Sequence, residues 1–119
     1  MIRLLVVCLV ALGAAVCISA GCGRAAAKHW QIVAQNQTQG PCEVAMDIGS
    51  LGGVNAPDLA GGERRVLRSG GETLIINTVK VVHNRQQLVF RPLLDVPVGK
   101  TYLVSVDPSG MVRTSITDM

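Results

Sequence analysis

Thr101-Tyr102-Leu103-Val104-Ser105-Val106-Asp107-Pro108-Ser109-Gly110-Met111-Val112-Arg113-Thr114-Ser115-Ile116-Thr117 decides the fold class. Within it, Tyr102, Val104 and Val106 alternate with Leu103 and Ser105. Successive side chains of a strand point to opposite faces. One face therefore takes the larger core-type residues, as in a half-buried antiparallel strand. Asp107 at i, Pro108 at i+1 and Gly110 at i+3 give a type I turn. A second run rich in β-branched residues follows the turn.

The same signature recurs upstream. Short β-branched runs are separated by Gly, Pro, Asn and Asp, and no helical period is sustained. The pattern predicts strands over 30–36, 42–48, 64–68, 74–82, 87–94, 101–107 and 111–117. Residues 37–41 form a short loop joining the first pair. His83-Asn84-Arg85-Gln86 turns the chain between two long strands. Residues 49–63 are Gly-rich and read as a long loop with room for one short edge strand. About seven short strands at regular spacing predict an all-β fold, a small antiparallel β-sandwich (Ig-like), with a small barrel as the alternative.

The first residues have a different character. Met1, Ile2 and Arg3 lead into an uncharged apolar run over 4–21, which ends in Ser19-Ala20-Gly21-Cys22. A cationic start, an apolar stretch and small residues before a cysteine are how an exported protein is addressed. Ile18-Ser19-Ala20-Gly21-Cys22 resembles the lipobox of bacterial lipoproteins, with Ser19 where Leu is usual. The resemblance implies a signal peptide over 1–21, a tether over 22–28 and a domain over 29–119. It also implies cleavage before Cys22 and a diacylglycerol on the Cys22 thiol. The membrane is then a partner through the lipid on Cys22, and Gly23 after it favours the outer membrane. Each buried methylene contributes about 0.8 kcal/mol, and two or more chains anchor stably. Two other readings stay open. Ala25-Ala26-Ala27 is an A-x-A site that would release a soluble periplasmic or secreted protein starting at Lys28. Alternatively, the run over 4–23 remains as an uncleaved membrane helix.

Composition narrows the function. The formal net charge of +3 is too weak and too scattered to argue for nucleic acid. Of four cysteines, Cys8 and Cys17 fall in the signal and Cys22 takes the lipid, leaving Cys42 in the domain. Without a partner for a disulfide, Cys42 reads as a buried small hydrophobe. Aromatic residues are 3% of the chain, with Trp30, Phe90 and Tyr102 in the domain, so a stacking platform for glycans is not expected.

No chemical motif stands out. His29, His83, Cys42, Met46 and Met111 supply the residue types of a blue-copper site, but not the late clustered loop that such a site uses. The expectation is no metal and no cofactor, with a metal-binding carrier the least supported reading. Cys42 with either histidine could form a dyad, yet nothing signals a lowered thiol pKa, and no serine lies in a G-x-S-x-G elbow. Glu43 and Asp47 share a strand face about 13 Å apart by strand rise, as expected of a solvated face. No catalytic residue is assigned and the chain is not read as an enzyme.

Arg64, Arg65 and Arg68 are the one local basic cluster, a candidate contact for phosphate head groups or acidic envelope polymers. Asn36-Gln37-Thr38 is formally a glycosylation acceptor, without meaning in a bacterial export context. Three stretches also resemble the loops of chagasin-type cysteine-peptidase inhibitors. They are Asn36-Gln37-Thr38-Gln39-Gly40, Ser69-Gly70-Gly71-Glu72 and Phe90-Arg91-Pro92-Leu93. The first lacks the family's Pro and the third its aromatic. The sequence therefore favours an exported, lipid-anchored cell-envelope protein with a non-catalytic binding or structural role, meeting an envelope polymer or protein. The alternative is a periplasmic or secreted loop-based inhibitor or adaptor acting through loops 36–41 and 69–72.

Overall fold

Ten strands build the domain in a computed structural model that describes residues 29–119. The expected signal peptide over 1–21, the lipobox-like stretch ending at Cys22 and the expected tether over 22–28 lie outside the described residues. The strands are β1 (Trp30–Asn36), β2 (Cys42–Asp47), β3 (Gly53–Leu59), β4 (Arg64–Gly70), β5 (Leu74–Ile76), β6 (Thr78–His83), β7 (Gln86–Phe90), β8 (Leu94–Val96), β9 (Lys100–Val106) and β10 (Val112–Asp118). One sheet has the order β10-β9-β1-β4, the second β3-β2-β6-β7, and a two-stranded ribbon pairs β5 with β8. This is an all-β sandwich.

Alternation explains the core. Trp30, Ile32 and Ala34 of β1 and Tyr102, Val104 and Val106 of β9 point inward from the first sheet. Cys42, Val44 and Met46 of β2, with Val79 and Val81 of β6, answer from the second. All are buried. The Trp30 indole N–H donates to the Glu72 carbonyl at 2.6 Å, so its one polar atom is satisfied.

Four sequence expectations change. First, β1 and β2 are not a hairpin: the chain leaves one sheet at Asn36 and enters the other at Cys42. Second, β1 pairs with β9 in parallel, so the sandwich is not wholly antiparallel. Third, residues 49–63 are not a long loop. After a 3-10 turn (Gly49–Leu51) they form the full strand β3, with Val54, Ala56 and Leu59 buried. A register shift between the Cys42 and Val44 pairings inserts an extra residue near Pro57 and Asp58, which moves the inward phase from Ala56 to Leu59. Fourth, each of the two longest expected strands is cut. β5 and β6 part at Asn77, and β7 and β8 part at residues 91–93, where Leu93 has φ +48.

The hairpin turns match their residues. Asn84 (φ +56) and Arg85 (φ +66) form a two-residue loop of type I′ between His83 and Gln86, a turn that needs positive φ at both positions. At residues 107–110, the Gly110 N–H donates to the Asp107 carbonyl at 2.8 Å, and Gly110 takes the positive φ of +89 that lets β10 start.

Connections sort to two ends. The distal end gathers residues 37–41, 60–63, 84–85 and 107–111. The tether end gathers residue 29, the 3-10 turn and the β5–β8 ribbon. Both β5 and β8 pass from one sheet to the other at that end, so the ribbon closes the base of the sandwich with Leu74, Ile76 and Val96 turned inward.

Candidate binding groove at the open edge

A sandwich of two four-stranded sheets has two long edges, and here they are finished differently. On one edge β4 lies against β3 and apolar contact closes the gap. On the other, β7 and β10 are the outermost strands, each paired on one side only among the described residues.

At the open edge the core-facing side chains lack a lid. Leu88 shares the inward face with Val81, yet is 46% exposed. Ile116 shares the inward face with Tyr102, yet is 40% exposed. Val112 is partly buried beside them. A cavity of about 440 Å³ opens here at the distal half, lined by Val81, His83, Leu88, Gly110, Met111 and Val112 among others. Its two rims are the hairpins 83–86 and 107–112. The His83 ring packs on Gly110, where an added Cβ would stand 3.4 Å from Nδ1.

The rim at 107–111 is held by one carboxylate. Asp107 Oδ1 accepts from the Ser109 hydroxyl at 2.6 Å, the Ser109 N–H at 2.9 Å and the Met111 N–H at 3.0 Å; Oδ2 accepts from Arg113 Nε at 3.3 Å. The Ser109 hydroxyl, then the Met111 N–H and Arg113, stabilise the charged form and hold its pKa at about 2. Beneath the edge lies the buried Tyr102 hydroxyl. Thr114 lies close enough to favour the phenolate slightly, but no group meets it with hydrogen-bond geometry, and burial raises its pKa.

The arginines expected as a cluster do not share one face: alternation parts Arg64 from Arg65, and the bulge in β4 moves Arg68 to the face of Arg65. The register shift at Ile32/Val33 leaves Leu67 as the extra residue. Arg64 opposes Gln35 on the outer face and is exposed. Arg65 and Arg68 oppose Ala34 and Ile32 on the inner side and reach over the closed edge. Arg65 holds Glu63 through Nε at 2.9 Å and Nη2 at 3.1 Å, with Asp58 at 3.5 Å. Arg68 Nη1 donates to the Leu51 carbonyl at 2.9 Å. Two of the three are thus committed to the fold.

Cys42 and His83 are register partners, but no hydrogen bond joins them, and burial pushes the Cys42 thiol up. His29 is exposed beside the tether. Met46 lies in the core and Met111 on the rim, so the soft ligand types do not converge. Asn36 is fully buried. Its Nδ2 donates to the Gly40 and Leu59 carbonyls at 2.8 and 3.0 Å, and its Oδ1 accepts from the Thr38 N–H and hydroxyl. Its role is to knot the distal end. The three inhibitor-like stretches do not form one wedge. The β1–β4 register places residue 36 beside residue 63 and residue 30 beside residue 70, so loops 36–41 and 69–72 sit at opposite ends.

Sequence reasoning missed the groove residues Leu88, Val112 and Ile116. They fell within the strands read at 87–94 and 111–117, and nothing local told that no sheet would cover them. Comparison with protein-family models, curated proteins and solved structures finds no match for the chain. Among the described residues no helix is long and apolar enough to cross a membrane.

Proposed function

We propose that this is an exported, lipid-anchored cell-envelope protein whose β-sandwich is a non-catalytic binding module, taking an extended protein segment along its open edge. The address Ser19-Ala20-Gly21-Cys22 supports export and anchoring through Cys22. The observation that supports binding is the pair of edge strands β7 and β10, which leave Leu88 and Ile116 uncovered on their core-facing sides. Edge strands offer unpaired N–H and C=O groups, so an added strand is the natural occupant, with its alternate side chains entering the groove. Arg85 and Arg91 flank β7, and no carboxylate among the described residues lies within ion-pair distance of either. A segment with apolar alternation and carboxylates near its ends suits this edge.

Amide hydrogen exchange tests it. A short alternating valine–threonine peptide capped by glutamates is added to the acylated full-length protein. The expected result is new protection of β7 or β10 amides, lost in Leu88→Glu. Unchanged exchange at saturating peptide overturns the groove reading. Protection that rises with protein concentration and needs no peptide replaces the peptide with a second copy. Anchoring is tested apart, by intact mass and membrane partition of the full chain beside Cys22→Ala.

A further inference from the structure

The base of the sandwich has an apolar outer surface that folding does not explain. In the β5–β8 ribbon, Leu74, Ile76 and Val96 serve the core, while Ile75 and Asp95 form the outward-facing pair. Ile75 is 44% exposed, Val98 just beyond β8 is 47% exposed, and Leu93 just before β8 is 66% exposed. Leu93 also holds φ +48, a left-handed conformation that is strained for a non-glycine residue. A leucine that is both strained and solvated gains nothing from packing.

The chain enters the domain at this same surface. The Gly99 N–H, one residue after Val98, donates to the His29 carbonyl at 2.7 Å. Residues 23–28 separate that point from Cys22, and the seven steps from Cys22 to His29, fully extended, reach at most about 25 Å. An anchor on Cys22 therefore keeps the ribbon end within one short tether of the bilayer.

We infer that the outer surface of the β5–β8 ribbon is a membrane-contact face, with Ile75, Leu93 and Val98 seated at the headgroup boundary of the bilayer that holds the anchor. This rests on the lipid-anchored reading above. The contact is shallow and led by apolar side chains, because exposed Glu72 and Asp95 on the same end offset the exposed Arg91 and leave no net attraction to anionic lipid. The anchor supplies proximity, and the face supplies orientation.

The test uses acylated full-length protein in phosphatidylethanolamine–phosphatidylglycerol vesicles carrying brominated acyl chains. Leu93→Trp and Val98→Trp are compared with Gln39→Trp at the distal end; Val98 has no positive φ, so one variant is free of backbone strain. Flotation and intact mass report the anchor independently. The expected result is several-fold stronger quenching of the tryptophan at residue 93 or 98 than at residue 39, unchanged by salt. Flotation with acyl mass but equal quenching at all three sites overturns the face and leaves the anchor standing. No acyl mass and no flotation overturns both. If the protein floats without acyl mass, held by an uncut apolar segment, the same quenching comparison decides.

Discussion

The two long edges of this sandwich are made from the same kind of strand and finished in opposite ways. At the β3/β4 edge, a proline and a bulge bend β3, and a second bulge in β4 turns Arg65 and Arg68 over the seam, where they are pinned to Glu63, Asp58 and the Leu51 carbonyl. Proline, bulges and charge are the usual devices that keep an edge from pairing. At the β7/β10 edge neither strand holds a proline or a bulge, β7 carries no charge, the charges of β10 (Arg113 and Asp118) are paired with Asp107 and Lys100, and Leu88 and Ile116 stay open. One edge that is closed and one that is open, in a single small domain, distinguish the side that completes the core from the side proposed to receive a strand.

The largest expected difference is in the two leucines that face the core at these edges. Leu59→Ala on the closed side should cost about 2–5 kcal/mol, since Leu59 is fully buried, whereas Leu88→Ala should cost well under half as much. Urea unfolding of both variants checks this; equal losses would mean that the open edge is closed in solution.

Next comes Asn36, which ties the closed edge to the distal end through the Leu59 and Gly40 carbonyls. Asn36→Ala leaves those buried groups unpaired and should cost about 2–3 kcal/mol. A loss below that range, read from the shift in denaturation midpoint, would show that water replaces the side chain.

On the open side, Arg85 occupies the second position of a type I′ turn, where glycine is preferred. Arg85→Gly should raise stability by about 1 kcal/mol while weakening binding of the glutamate-capped peptide. A gain in stability with unchanged peptide binding would remove Arg85 from the site.

The Asp107 rim gives a pH signature. Its folded pKa of about 2 lies below the unfolded value, so its contribution is present above pH 4 or so and is lost as pH falls towards 2. Asp107→Asn should remove that part of the acid dependence, and parallel stability curves for the two proteins between pH 5 and 2 would contradict it. The smallest effect belongs to Tyr102→Phe, which deletes an orphaned buried hydroxyl. Its stability change should be within about 1 kcal/mol and favourable in sign. A clear loss would reveal a partner for the hydroxyl in solution.

Much of the fold was legible because alternation is a local signal. β1 was read at its observed limits, and the inward set Tyr102, Val104 and Val106 is the observed one. β3 was lost because glycines flank it and the bulge at residues 57–58 breaks its alternation. The cut between β5 and β6 did leave a trace. Leu74 and Ile76 are buried at even positions, Val79 and Val81 at odd ones, and that change of phase marks the corner at Asn77. Spacing alone would put Arg64 and Arg68 on one face and Arg65 on the other; the bulge, which leaves no mark in the sequence, puts Arg68 with Arg65 instead.

By itself the sequence determined the all-β class, most strand positions and the turns at residues 83–86 and 107–110. These follow from interactions spanning a few residues: side-chain alternation and the conformational preferences of turn residues. Only the tertiary structure decided that β1 joins β9 in parallel, that a bulge sets Arg68 on the face of Arg65 and not of Arg64, and that β7 and β10 lack a covering strand among the described residues. Exposure of an inward-facing residue depends on what lies across the gap, and strands far apart in the chain meet there.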